Sequence, residues 1–296
     1  MRINPNQTPD LLAALANTQS QQNTSILQLS TGRRVNKPSD DPAAAAQVVI
    51  NHDLSNRADS FQQSMGSIQG QLQIADSTLS SVVNLLTRAI TLGIQGGNSA
   101  TLSDADRNAI ADELRALQSQ LINLGNASYQ GRYIFSGTDQ ASAPFVLDNT
   151  VPSGVRYSGN AGVNTVSIGP GYQLQINLPG DQLLASPAAG AFQSLHDLIN
   201  AVISNNGVDA AVNAVRESFD FVTSQRVFFG NGLNQIEAQQ SLLATQKTQL
   251  SAQENTIAGA DVAAAASRVT NTETALNATF AAIGRVAQTT LFDFLR

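Results

Sequence analysis

The chain has 296 residues, 42% of them hydrophobic but only 5% aromatic, with no Trp, a formal net charge of -6 and a pI of about 4.8. That length allows two or three modules around a real core, and the shortage of aromatics suits long helices packed side by side. The acidic balance leaves no basic surface for a phosphate backbone, which argues against nucleic acid, and the absence of Cys removes disulfides, thiolate nucleophiles and thiolate metal sites together.

The opening segment MRINPNQTPDLLAALANTQSQQ carries one Arg and a short apolar patch, Leu11 to Ala16. A secretory signal needs a longer apolar stretch and a small-residue cleavage site, so export, if it occurs, is expected by another route. No window approaches the roughly 18 apolar residues of a membrane span, so no membrane insertion is expected.

From 11 to 32, LLAALANTQSQQNTSILQLSTG, there is no charged side chain. Leu11, Leu15, Thr18, Gln22, Ser25 and Leu29 keep the spacing of a helical stripe, with Ile26 beside it. A solvated helix normally carries charge on its outer face, so this one is expected to be covered by other chains.

A dense connection follows, STGRRVNKPSDDPAAAA. Asp41 is the expected N-cap of a second helix with Pro42 in its first position. Its stripe is read as Ile50, Leu54, Arg57 and Phe61, then a shift, then Met65, Ile68, Leu72, Ala75, Leu79, Val82 and Leu86. Such a helix, ending near Gln95, spans roughly 80 Å. Ser103 is the expected cap of a third helix, with Asp104 and Asp106 in its first turn and a stripe of Ile110, Leu114, Leu117, Leu121 and Leu124.

Between 131 and 180 there are eight glycines and four prolines. Short alternating runs such as YQLQINL, with Tyr172, Leu174, Ile176 and Leu178 on one side, predict strands joined by turns. A helix near 191–204 comes next. From Val208 to Ile257 apolar and amphipathic positions alternate by four and three, through Val215, Val222, Phe229, Ile236 and Leu243, which predicts a long coiled-coil-like helix. Gly230 and Gly232 weaken it by about 1 kcal/mol each relative to Ala. The final stretch repeats the pattern at Val262, Ala266, Val269, Glu273, Leu276, Phe280, Ile283, Ala287, Leu291 and Phe294.

The fold class is therefore mainly α: a long helical coiled-coil or bundle rod built from both chain ends, with a small β-rich inserted domain. Residues 1–41 and 258–296 form a terminal helical domain, 42–131 and 188–257 a helical rod, and 132–187 the outward insert.

Candidates for chemistry are few. His52 and His196 are the only histidines, and neither stands in a metal-ligand spacing. GPGYQL at 169–174 and GNGLNQ at 230–235 both lack the last Gly of a dinucleotide fingerprint, and are read as a turn and a local helix irregularity. The insert has no His and only Asp139, Asp148 and Asp181 as carboxylates, too little for hydrolysis or metal binding. No enzyme activity, cofactor or metal is expected. Arg33, Arg34, Asn36, Asp40 and Asp41 are read as an inter-domain loop that caps and ion-pairs rather than reacts.

LSTGRRVNKPSDDPAAA resembles the N-terminal signature of the flagellin superfamily, and NATFAAIGRVAQTTLFDFLR resembles its terminal helix. Within that superfamily, YQGRYIFSGTDQASAPF and RYSGNAGVNTVSIGPGYQLQINLPGDQLL resemble the insert of the hook-filament junction proteins rather than the corresponding stretch of filament flagellins. The resemblance implies a structural, extracellular role in the bacterial flagellum, with export by the type III apparatus and a dedicated export chaperone. It also implies partners: neighbouring copies of the chain, the other hook-filament junction protein, and flagellin. A filament flagellin and a secreted tip or adhesion protein are the alternatives. Leu11, Leu15, Ile26, Leu29, Leu276, Phe280, Ile283, Leu291 and Phe294 are the expected assembly residues. In the free monomer both ends are expected to be disordered and to fold on assembly.

Overall fold

The computed structural model describes residues 8–98, 102–186 and 190–294. Helix α1 (Thr8–Thr31) leads through a ten-residue connection at 32–41 to α2 (Pro42–Gly96), and α3 (Asp104–Gly125) returns beside it. Three antiparallel pairs follow: β1 (Ser128–Tyr129) with β2 (Arg132–Tyr133), β3 (Phe145–Leu147) with β4 (Val155–Tyr157), and β5 (Thr165–Gly169) with β6 (Tyr172–Gln175). Short α4 (Gly180–Leu183) and α5 (Ala191–Ser204) precede α6 (Val208–Ala258) and α7 (Val262–Phe294).

Local chemistry explains the ends. The Asp41 carboxylate accepts from the Ala44 amide at 3.1 Å, satisfying an orphan donor of α2. Ser103 and Asp106 form a reciprocal capping box on α3. The segment 169–174 is the tight turn of the β5–β6 hairpin, with Gly171 at φ 78°, and 230–235 lies within continuous α6.

The chain divides into two compact units, Met1–Arg57 with Ala244–Arg296, and Ala58–Leu243. The division falls inside α2 and α6, whereas the boundary expected at 41/42 coincides with the start of α2 and that at 257/258 lies one residue before the end of α6. In the larger unit, Met65, Leu72, Leu79 and Leu86 of α2 share one core with Val215, Val222, Phe229 and Ile236 of α6. All the heptad positions read for α6, from Val208 to Ile257, are buried or half-buried. Arg226, a charged residue on that stripe, is answered by a two-pronged bond to Asp76 at 2.9 and 3.1 Å.

Phe145 anchors the insert. Its ring lies 5.2 Å from Tyr157 and 4.9 Å from Phe192. Added Cβ atoms at Gly125 and Gly180 would each come within 2.6 Å of that ring, so both positions need glycine for the close approach. The β region begins at Ser128, four residues before the boundary read from sequence. The alternation expected over 172–178 also breaks: Tyr172 is exposed and β6 ends at Gln175. The reason is Asn177, which is fully buried and bonds the Gly137 and Gly162 carbonyls, so the chain leaves the sheet to serve it.

Candidate functional site

In the smaller unit, α1 and α7 pack along each other. The face α1 turns inward is Leu11, Leu15, Thr18, Gln22, Ser25 and Gln28, and the matching face of α7 is Ala265, Val269, Thr272, Leu276, Thr279 and Ile283. Most of these side chains are small or polar. Several hydroxyls are satisfied inside their own helix, as Thr18 to Ala14 O at 2.8 Å and Thr272 to Arg268 O at 2.8 Å, so a polar seam costs little to form. It also gains little, because few methylenes leave water.

Several of the larger apolar side chains point the other way. Leu12 (54% exposed), Ile26, Leu27 and Leu29 on α1, with Val262 and Phe280 (53% exposed) on α7, face outward. The stripe read for α7 thus needs correction. Val269 and two of the expected assembly residues, Leu276 and Ile283, lie inward, whereas Val262, Ala266, Glu273 and Phe280 are exposed and Ala265, Thr272 and Thr279 complete the inner face. Likewise Leu29 yields its place on α1 to Gln28. Leu291 and Phe294 fall outside the described side chains.

Helix α2 shows the same inversion near its start. Ala44, Val48, Asn51, Ser55 and Ala58 face inward, while Ile50, Leu54 and Arg57, read from sequence as the core stripe, are exposed together with Val49. The inward set continues the Met65–Leu86 register without any shift. Apolar content alone pointed to the wrong face, because the inner positions here are small or polar. Asn51 is buried with its amide nitrogen unpartnered and its oxygen accepting from Gln47 at 3.1 Å.

The connection at 32–41 straps both chain ends together. Gly32, at φ 68°, terminates α1, and its carbonyl accepts from the Ala260 amide at 2.9 Å. Arg33 bridges Gly259 in antiparallel fashion, and the Arg34 amide donates to Ala258 O at 2.7 Å. The Arg34 guanidinium then reaches Ile257 O at 2.8 Å and the Asp41 carboxylate at 3.1 Å. Arg33 forms an ion pair with Glu254, whose carboxylate also meets the His52 ring at 3.2 Å. Val35, Ala44 and Ala258 bury a small apolar plug beneath this strap.

The two aspartates have separate jobs. Asp40 accepts from the Lys37 and Asn36 amides at 2.9 and 3.0 Å, which holds its carboxyl below the usual range. Asp41 is lowered first by the Ala44 amide and then by Arg34. Asn36 closes the turn by donating to Arg33 O at 2.8 Å. All five loop residues singled out from sequence therefore meet in one hydrogen-bonded block. Its reach to Glu254 and to the 257–260 backbone had no signal in local sequence.

Among the described residues no group of three or more His, Asp or Glu side chains gathers as a metal site, and no helix is long and apolar enough to cross a membrane. His196 sits beneath the turn at Gly154, beside Gln118.

The sequence matches the model of the bacterial flagellin N-terminal helical region over residues 5–140, and that of the C-terminal helical region over 212–295. The chain belongs to the flagellin family. Within that family, flagellar hook-associated protein 3 of Escherichia coli is 26% identical over 292 residues, 90% of each chain. Its namesake in Salmonella typhimurium is 34% identical over 135 residues, 45% of this flagellin-family chain and 42% of that protein. Flagellin of Bacillus subtilis is 26% identical over 282 residues, 89% of this chain and 88% of its own. The crystal structure of flagellar hook associated protein-3 from Legionella pneumophila has the same fold, with a TM-score of 0.64 at 15% identity over 71% of this chain and 98% of that one. Helical ends and a small β region are thus the family architecture, and the relatives are structural proteins of the flagellum.

Proposed function

We propose that this flagellin-family chain is the junction subunit that joins the hook, through the other hook-associated protein, to the flagellin filament. The observation that carries the proposal is the outward turn of Leu12, Ile26, Leu27, Leu29 and Phe280 on a helix pair whose own seam mixes a few Leu, Val and Ile side chains with a majority of small and polar ones. Such a face gains its main stabilisation only when neighbouring subunits cover it, at roughly 1.5 to 3 kcal/mol per buried Leu or Phe before ordering costs. Neighbouring copies, the other junction protein and flagellin are the partners this reading requires. Export by the type III route with its chaperone, extracellular placement and the lack of any catalytic role belong to the same reading.

The junction assignment rests on the long alignment with hook-associated protein 3 together with the entry motif at 129–145. In the fold those residues form the β1–β2 hairpin, the buried pair Ile134 and Phe135, and the Phe145 anchor. A filament flagellin is the second reading, favoured by the equal identity to the Bacillus subtilis protein. Immunogold microscopy of intact flagella with an antibody against residues 136–187 separates the two. A narrow band where hook meets filament is the expected result, and label along the whole filament would make the chain a flagellin.

A further inference from the structure

Asn-Gly pairs occur twice in this chain, at Asn206–Gly207 and Asn231–Gly232, and both asparagines are exposed. Their backbones differ. Asn206 lies between α5 and α6, after Asn205 in the left-handed conformation (φ 51°, ψ 37°) and before Gly207 at φ 70°. Asn231 sits inside α6, where Gly232 is buried with Leu72 Cδ1 3.1 Å from the place of a Cβ.

A glycine after asparagine leaves its amide nitrogen unshielded, so that nitrogen can attack the asparagine side-chain carbonyl when the backbone allows the approach. Inside a helix the amide is committed to a carbonyl four residues earlier, and helical ψ holds the nitrogen away from the side-chain carbon. Between α5 and α6 the first restraint is absent. The Gly207 amide donates to no group among the described residues, and all three residues of the connection are exposed.

We infer that Asn206 is a site of spontaneous deamidation, selected over Asn231 by backbone conformation and not by exposure. The Gly207 nitrogen bonds to Asn206 Cγ, the Cγ–Nδ2 bond breaks, and ammonia leaves with the proton given up by the Gly207 amide. Water then opens the succinimide at either carbonyl, giving aspartate or isoaspartate, and no other co-reactant is needed. Each event adds one negative charge to a chain whose formal net charge is -6. The new carboxylate stands at the entry of α6, where the helix dipole favours it, so the helix survives the change.

The test uses the purified full chain, aged in mildly alkaline buffer and read by peptide mapping with an isoaspartate-specific methyltransferase. In the folded protein, conversion at 206 is expected at least about tenfold faster than at 231, because α6 must open locally before Asn231 can cyclise. In strong denaturant the two rates converge. Asn206→Gln removes the first acidic isoform on isoelectric focusing and leaves the helical spectrum unchanged. Equal rates in the folded protein, or an unreacted Asn206 beside reaction at both sites in denaturant, would overturn the inference.

Discussion

The side-chain amide of Asn126 pairs with both backbone groups of Phe145, donating to its carbonyl at 2.7 Å and accepting from its amide at 2.9 Å. An asparagine at the end of α3 thus acts as the missing strand partner of β3, and holds the Phe145 ring against Tyr157 and Phe192. Phe145→Ala is expected to cost about 3 to 5 kcal/mol by emptying that site. Asn126→Ala is expected to cost about 1 to 3 kcal/mol by leaving two buried backbone groups unpaired. Urea unfolding of the two variants measures both, and a loss below the lower figure for Asn126→Ala would mean that water replaces the amide.

Outward and inward positions of the terminal helices should behave oppositely. Ile26→Asp with Phe280→Asp is expected to change monomer stability by about 0.5 kcal/mol or less per site, while abolishing incorporation into the flagellum. Leu276→Ala, on the inner seam, should loosen the α1–α7 pair by about 2 kcal/mol. Motility complementation and hydrogen exchange separate these outcomes; normal incorporation of the double Asp variant would remove the outward face from the interface.

A weak inner seam also sets an order of protection. In the dilute monomer, amides of α1 and α7 are expected to exchange far sooner than those of α6 around Phe229 and Ile236, whose side chains are fully buried. Equal protection of all three helices would show that the terminal pair is stable alone.

The strap should weaken in acid. Asp40 and Asp41 both have lowered carboxyl pKa values, so each contributes stability that is present above its unfolded value of about 3.9 and is lost as pH falls below that through the folded value. Asp40→Asn is expected to flatten this acid limb, and Asp41→Ala to lower the melting temperature at neutral pH through the lost α2 cap. Melting temperature against pH for the three proteins checks both signs.

An alkaline limb belongs to the insert. Burial pushes the Tyr157 hydroxyl up to about 12, where it also lies 3.0 Å from the carbonyls of Phe135 and Asn160. Its raised value means that the neutral form is favoured by folding, so stability falls as pH rises from about 10 toward the folded value. Tyr157→Phe should remove that decline, as read by near-ultraviolet absorbance and thermal melts.

How much of this was legible depends on what each segment buries. For α6 the heptad pattern and the observed inner face agree from Val208 to Ile257, because a large core rewards apolar residues at every inner position. For the first turns of α2 the same rule leads to the outer face at Ile50 and Leu54, and on α1 and α7 the apolar positions divide between the inner seam and an outer face that carries Leu29 and Phe280. Those helices turn many of their large side chains to a surface the single chain does not cover, and small or hydroxylated residues fill much of the inner face. The caps at Asp41 and Ser103 were readable because capping is local. The bonds from Arg34 to Ile257 and from Asn177 to Gly137 were not, since they join segments far apart in sequence.

The strap at Gly32–Asp41 has a topological consequence. Arg34 and Ile257 are 223 residues apart in a chain of 296, so their bond closes most of the chain into one ring. Closing so long a loop from the unfolded state is entropically unfavourable, though the cost grows only with the logarithm of its length. Once α2 and α6 have paired, through contacts such as Asp76 with Arg226, the effective loop shrinks to the arms 34–76 and 226–257, both largely helical. Forming the α1–α7 pair after that pairing therefore closes a much shorter loop than forming it from the unfolded chain.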